Sequence, residues 1–122
     1  MDVEQLRHYC LNKKAVTEDF PFDEDTLVFK VLGKIFAILP LERWERGEAS
    51  MNLKCEPEYA EELRGQYNSI RPGFHMNKKH WNTLYIHEGE LEIGVIRDLI
   101  DHSYDRVLKS MSKKMQNSLK DL

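Results

Sequence analysis

Arg71, His75, Asn77, Lys78 and Lys79 sit close together in the segment Arg71-Pro-Gly-Phe-His-Met-Asn-Lys-Lys-His-Trp-Asn-Thr-Leu84. Lysine and arginine neutralise phosphates, which positions a protein on a polyanion without reading its sequence. His75 and Asn77 add neutral hydrogen bonds. Phe74 and Tyr85 offer ring faces on which an unpaired base can stack. No Asp or Glu lies between Arg64 and His87, although the 122-residue chain carries a net charge of −3. A second acid-free run, Arg106 to Lys120, holds Arg106, Lys109, Lys113 and Lys114. The first 61 residues contain 13 acids and 8 bases, and the last 61 contain 8 acids and 10 bases. Positive charge is therefore concentrated in two C-terminal segments. The sequence leaves open whether they share a face. The same residues also suit an ordinary hairpin, with Trp81 and Met76 in the core, Asn77 capping a turn and the lysines solvating an edge.

Other chemistries find less support. Cys10 and Cys55 lie 45 residues apart, and His75 and His80 lack the close pairing of a zinc site. Asp19, Asp23, Glu24 and Asp25 read as a solvated turn, not a metal ridge. No G-x-S-x-G, H-E-x-x-H or phosphate-cradling glycine loop occurs. Cys55 precedes a helix start, where a thiol can be activated, but it also falls on the inward side of an alternating strand. His102, Ser103 and Tyr104 diverge around a helix and form no triad. The expectation is a non-enzymatic protein with no cofactor and no metal.

The elements that must position these residues follow from periodicity. Asp2 and Gln5 form a capping box for a helix over residues 3–13, with Leu6 and Cys10 inward. Residues 26–31 and 35–41, separated around Leu32-Gly33, predict a hairpin. Residues 43–48 read as a charged loop. Residues 50–55 alternate as a half-buried strand. Pro57 opens a second helix, which ends at Asn68. Residues 69–71, 74–76 and 82–87 read as strands, with one Asn77-capped turn between the last two. The longest helix carries Ile93, Ile96, Leu99, Ile100, Tyr104, Val107, Leu108 and Met111 on one side. Residues 112–122 suggest a short tail helix. The order α-β-β-β-α-β-β-α predicts one α+β domain over 1–122, with a mainly antiparallel sheet and helices packed on one face. Nothing at the start resembles a secretory signal, so two reduced thiols in a cytoplasmic setting are expected.

This order and the words along it resemble the MmcQ/YjbR-like family of small bacterial proteins. The matching words are Phe20-Pro-Phe22, Lys30-Val-Leu-Gly-Lys-Ile-Phe-Ala37, Leu53-Lys-Cys-Glu-Pro57, Pro72-Gly-Phe-His-Met-Asn-Lys-Lys-His-Trp81 and Ser103-Tyr104. The resemblance implies a CyaY-like, or double-wing, α+β fold and a DNA-binding label that rests on shape. It implies no established reaction or cofactor. The expectation is a DNA-binding protein that contacts phosphates through a basic hairpin and a basic C-terminal segment. The alternative is a protein-interaction module with an acidic protein partner and no nucleic acid.

Overall fold

The computed structural model describes all 122 residues. Helix α1 (Val3–Leu11) is closed at its start by the expected capping box, in which Asp2 accepts from the Gln5 amide. Strands β1 (Val16–Asp19), β2 (Thr26–Val31) and β3 (Lys34–Pro40) follow. Helix α2 (Leu41–Glu45) and strand β4 (Met51–Lys54) lead to helix α3 (Pro57–Gln66). Strands β5 (Ile70–Pro72) and β6 (Trp81–Leu84) precede a single 3-10 turn over Ile86–Glu88. Helices α4 (Ile93–Lys109) and α5 (Lys113–Lys120) complete the chain.

The six strands form one sheet in the order β1-β2-β3-β4-β6-β5, and every neighbouring pair is antiparallel. The β2–β3 turn is Leu32-Gly33, with φ of 48° and 84°. Two successive positive φ values suit the right-handed twist of a two-residue hairpin, and Gly33 adopts its value without a steric penalty. A bulge after Phe29 lets Phe36 turn inward beside Ala37.

One face of the sheet supplies Leu27, Phe29, Leu39, Leu53, Leu84 and Ile70 to a single core. Helices α1, α3 and α4 close it with Leu6 and Cys10, Ala60 and Leu63, and Ile96, Ile100 and Val107. The chain is thus an α+β domain with an antiparallel sheet. Ser103 ties the layers together: its buried hydroxyl donates to the Phe36 carbonyl at 2.5 Å and accepts from the Lys54 amide at 2.9 Å. No helix is long and apolar enough to cross a membrane.

Four elements differ from the sequence reading. Residues 43–48 are not simply a loop, because Leu41 and Trp44, three apart, turn one helical side of α2 toward the core. Residues 16–19 add an edge strand, alternating half-buried Val16 and Glu18 with exposed Thr17 and Asp19. Residues 74–76 form no strand: His75 adopts φ 58° and the Met76 amide turns back to the Gly73 carbonyl. Strand β6 stops at Leu84, and the chain tightens until Gly89 takes a left-handed conformation at φ 76°. Ser112 breaks the last helix as expected, its hydroxyl accepting from the Met115 amide to start α5.

Candidate anion-binding hollow

The segment from Pro72 to Trp81 is a tight excursion between β5 and β6. Its base is fixed by the Gly73 amide, which donates to the Trp81 carbonyl at 2.8 Å. A Cβ on Gly73 would sit 2.9 Å from the Trp81 Cβ, so glycine is required by space. Asn77 caps the inner turn as expected. Its side chain accepts from the Lys79 amide at 3.0 Å, and its carbonyl accepts from the His80 and Trp81 amides. Arg64, reaching from α3, clamps the far side: it donates to Asn82 Oδ1 at 2.7 Å and to the Lys78 and Trp81 carbonyls.

This arrangement divides the predicted basic residues. Arg71 is neutralised, since its guanidinium grips both oxygens of Glu88 at 2.7 and 2.8 Å while lying 4.4 Å from the Tyr85 ring centroid. Lys78 folds back to donate to the Gly73 carbonyl at 3.0 Å. Lys79 is exposed and forms no ion pair. His75 is exposed and packs its ring 4.0 Å from that of Phe74, which is itself 52% exposed. Arg43 lies over the Phe74 ring at 5.4 Å, making a small cation-aromatic platform. Trp81 is not core. It pairs with Lys54, and alternation from Leu53 places both on the sheet's second face, where Trp81 is half-buried. Met76 is likewise outside the core.

The two acid-free segments do meet. His80 from the excursion, Arg106 and Ser110 from the end of α4, and Lys54 from β4 line one hollow of about 300 Å³ with no hydrophobic residue in its wall. Neither Lys54 nor Arg106 has a carboxylate partner. Lys79 is the chain neighbour of His80, Lys109 that of Ser110, and Lys113 and Lys114 open α5; all four are exposed. Lys54 and His80 were not among the residues expected to contact nucleic acid: Lys54 read only as the polar side of an alternating strand, and His80 only as a poorly spaced zinc ligand.

One turn before Arg106 on α4, His102 accepts from the Glu56 amide through Nε2 at 3.1 Å and meets the Tyr59 ring edge-on. Burial first, and then the nearby Arg106 charge, hold its pKa below the ordinary 6.5. Glu56 caps α3 by accepting from the Tyr59 and Glu58 amides, and those bonds keep its carboxyl below the usual range. Burial pushes the Cys55 thiol up to about 11 and Cys10 up to about 12. Neither thiol is activated as a nucleophile: at Cys55, burial and Glu56 outweigh the helix start. No three His, Cys, Asp or Glu side chains converge in a metal-binding group.

A family model described as YjbR matches residues 11–106. The chain belongs to the YjbR family. It is 39% identical over 117 residues to the uncharacterized protein YbdF of Escherichia coli O157:H7, covering 96% of this chain and 93% of that protein. It is 30% identical to the uncharacterized protein YjbR of Escherichia coli K12 across the full length of both. Among solved structures, Deinococcus radiodurans DR2400, a DUF419-domain protein, superposes with a TM-score of 0.87 at 36% identity, covering 98% of this chain and 88% of the other. A Pseudomonas syringae protein superposes at 0.68 with 29% identity, covering 84% and 96%. The YjbR match ends at Arg106, so the family region includes Lys54, His80 and Arg106 but leaves out Ser110 and the α5 lysines.

Proposed function

We propose that this YjbR-family chain is a non-enzymatic, cytoplasmic nucleic-acid-binding protein whose phosphate contacts centre on Lys54, His80 and Arg106. The observation that supports this reading is the convergence of three basic residues from distant parts of the chain on one polar hollow with no carboxylate among its lining residues. An anion gains most from basic side chains that have no ion-pair partner to give up, and neither Lys54 nor Arg106 has one. Lys79, Lys109, Lys113 and Lys114, exposed and close in the chain to His80 or Ser110, add positive charge of the kind a phosphate backbone follows. Phe74 and His75 offer ring faces for an unpaired base, which favours single-stranded over duplex targets. The centre of α4 does not suit a groove: Asp98, Asp101 and Asp105 punctuate it.

Fluorescence anisotropy with labelled single- and double-stranded DNA of mixed sequence, at low salt, tests the reading. The affinity falls linearly on a log–log salt plot, with a slope that counts the phosphates neutralised. Lys54→Glu with Arg106→Glu abolishes binding, while Arg71→Ala, which removes an already neutralised side chain, leaves it nearly unchanged. No binding at low salt, or binding indifferent to the double reversal, defeats the proposal. Retention of a single acidic protein from lysate across moderate salt, with no DNA binding, favours an acidic protein partner instead.

A further inference from the structure

The largest cavity in the molecule lies elsewhere, with no residue in common with the basic hollow. It has a volume of about 620 Å³ and opens between the first turn of α1, the end of β1 and α2. This is within the range of small-molecule sites. Half of its lining residues are apolar: Val3, Phe20, Leu27, Leu41 and Trp44. Leu27 is a core residue, so the cavity floor is rigid. The Trp44 indole is held in one orientation by donating Nε1–H to the Ser50 carbonyl at 2.8 Å.

Its charge is one-sided. Four carboxylates, Asp2, Glu4, Glu18 and Glu45, line it against one guanidinium, Arg7. Arg7 is already engaged: it donates to both oxygens of Glu18 at 2.5 and 2.7 Å and reaches Glu4 at 3.3 Å. Asp2 and Glu4 have a local reason to be where they are, at the positive end of α1. Glu45 has none. It is exposed at the end of α2, and the neighbouring Arg46 pairs with Glu42 and Glu48 instead. The lining therefore holds both a pinned indole and a carboxylate with no ion-pair partner.

We infer that this cavity is a binding site for a small organic cation with a flat apolar body. The body would lie against Leu27, Leu41 and Phe20. The ammonium would sit over the Trp44 ring, the best aromatic partner for a cation, within a lining that also carries the Glu45 carboxylate. An anionic ligand of the same shape would meet an excess of carboxylates and find Arg7 occupied.

The test uses 1-naphthylmethylamine as the cation and 1-naphthoate as its anionic counterpart. Both are titrated into the full chain while the two tryptophan indole N–H resonances are followed by nuclear magnetic resonance. Trp81→Phe assigns them. The amine shifts the Trp44 indole and the Val3 and Glu45 amides saturably and leaves the Trp81 indole in place. Glu45→Lys weakens the amine about fivefold, as a reversed exposed pair should. Naphthoate binds at least roughly tenfold more weakly. Non-saturating shifts, equal affinity for the two probes, or an unchanged affinity in Glu45→Lys overturns the inference. If Glu45→Lys fails to fold, the comparison of the two probes decides alone.

Discussion

Arg71 and Glu88 form a two-point ion pair, both carboxylate oxygens lying within 2.8 Å of one guanidinium nitrogen. The residues are 17 apart, across β5 and the β6 exit, and the pair removes from the basic surface the arginine that its sequence neighbours make most conspicuous. Arg106, in contrast, stands unpaired in the hollow with Lys54 and His80. The two arginines should therefore respond oppositely to an anion. Inorganic phosphate, titrated at low salt, shifts the guanidinium Nε–H resonance of Arg106 and leaves that of Arg71 in place. Arg106→Ala removes the response of the remaining hollow residues, and Arg71→Ala does not. Equal shifts at both would mean that the Glu88 pair opens freely and that the distinction is void.

Ser103 yields a stability prediction. Its hydroxyl both donates to Phe36 and accepts from the Lys54 amide, so Ser103→Ala orphans an acceptor on β3 and a donor on β4 at once. Leaving a buried polar group unpaired costs about 1–3 kcal/mol. Urea unfolding of Ser103→Ala should show a lower midpoint with an unchanged slope. Ser118→Ala on α5, whose hydroxyl bonds only to its own helix at an exposed position, should stay within about 0.5 kcal/mol of the parent.

Two glycine substitutions should act with opposite signs. Gly73→Ala drives a Cβ to 2.9 Å from the Trp81 Cβ and 3.1 Å from its carbonyl, neither of which is a flexible chain end. It should cost about 1–3 kcal/mol. Gly65 lies inside α3 with nothing within 4 Å of a new Cβ. Gly65→Ala should stabilise by about 0.5–1 kcal/mol through helix propensity alone. Thermal midpoints that move the same way for both variants would contradict the packing described. Trp81→Ala tests the same region. As a half-buried residue on the second face it should cost about 1–2 kcal/mol, less than the roughly 3–5 of a core aromatic.

These cases show where sequence patterns inform and where they stop. The β2–β3 hairpin was legible because Leu32-Gly33 interrupts two apolar runs with the residue type that a left-handed turn accepts. Helix α4 was legible because its apolar stripe repeats over many turns. Helix α2 was not, since five residues give a 3.6-residue period too little length to declare itself. Residues 16–19 share their polarity too evenly to announce an edge strand. Trp81 was misplaced because alternation separates two faces without saying which one meets the core. The Asn77 cap was read correctly from local chemistry. The hollow was beyond reach, because Lys54, His80 and Arg106 are brought together only by β4 pairing with β6 and α4 packing against β4.

His102 makes stability depend on pH. His102 must be neutral to accept from the Glu56 amide, and burial and Arg106 both depress its pKa below 6.5. In the unfolded chain the ring titrates at its ordinary value, so the unfolded state takes up a proton first as pH falls. The contribution of His102 is complete above about pH 6.5 and declines as pH drops from there toward the lowered folded value. Urea midpoints for the parent should fall between about pH 7.5 and pH 5 by more than those of His102→Gln, whose side-chain oxygen can accept the same bond without titrating. Arg106→Gln should move the His102 titration, followed through its ring protons, back toward the ordinary value, because it removes the largest of the charges that lower it and leaves burial in place. A His102 pKa at or above 6.5 in the parent would show that the ring is solvated and that its bond to Glu56 does not hold in solution.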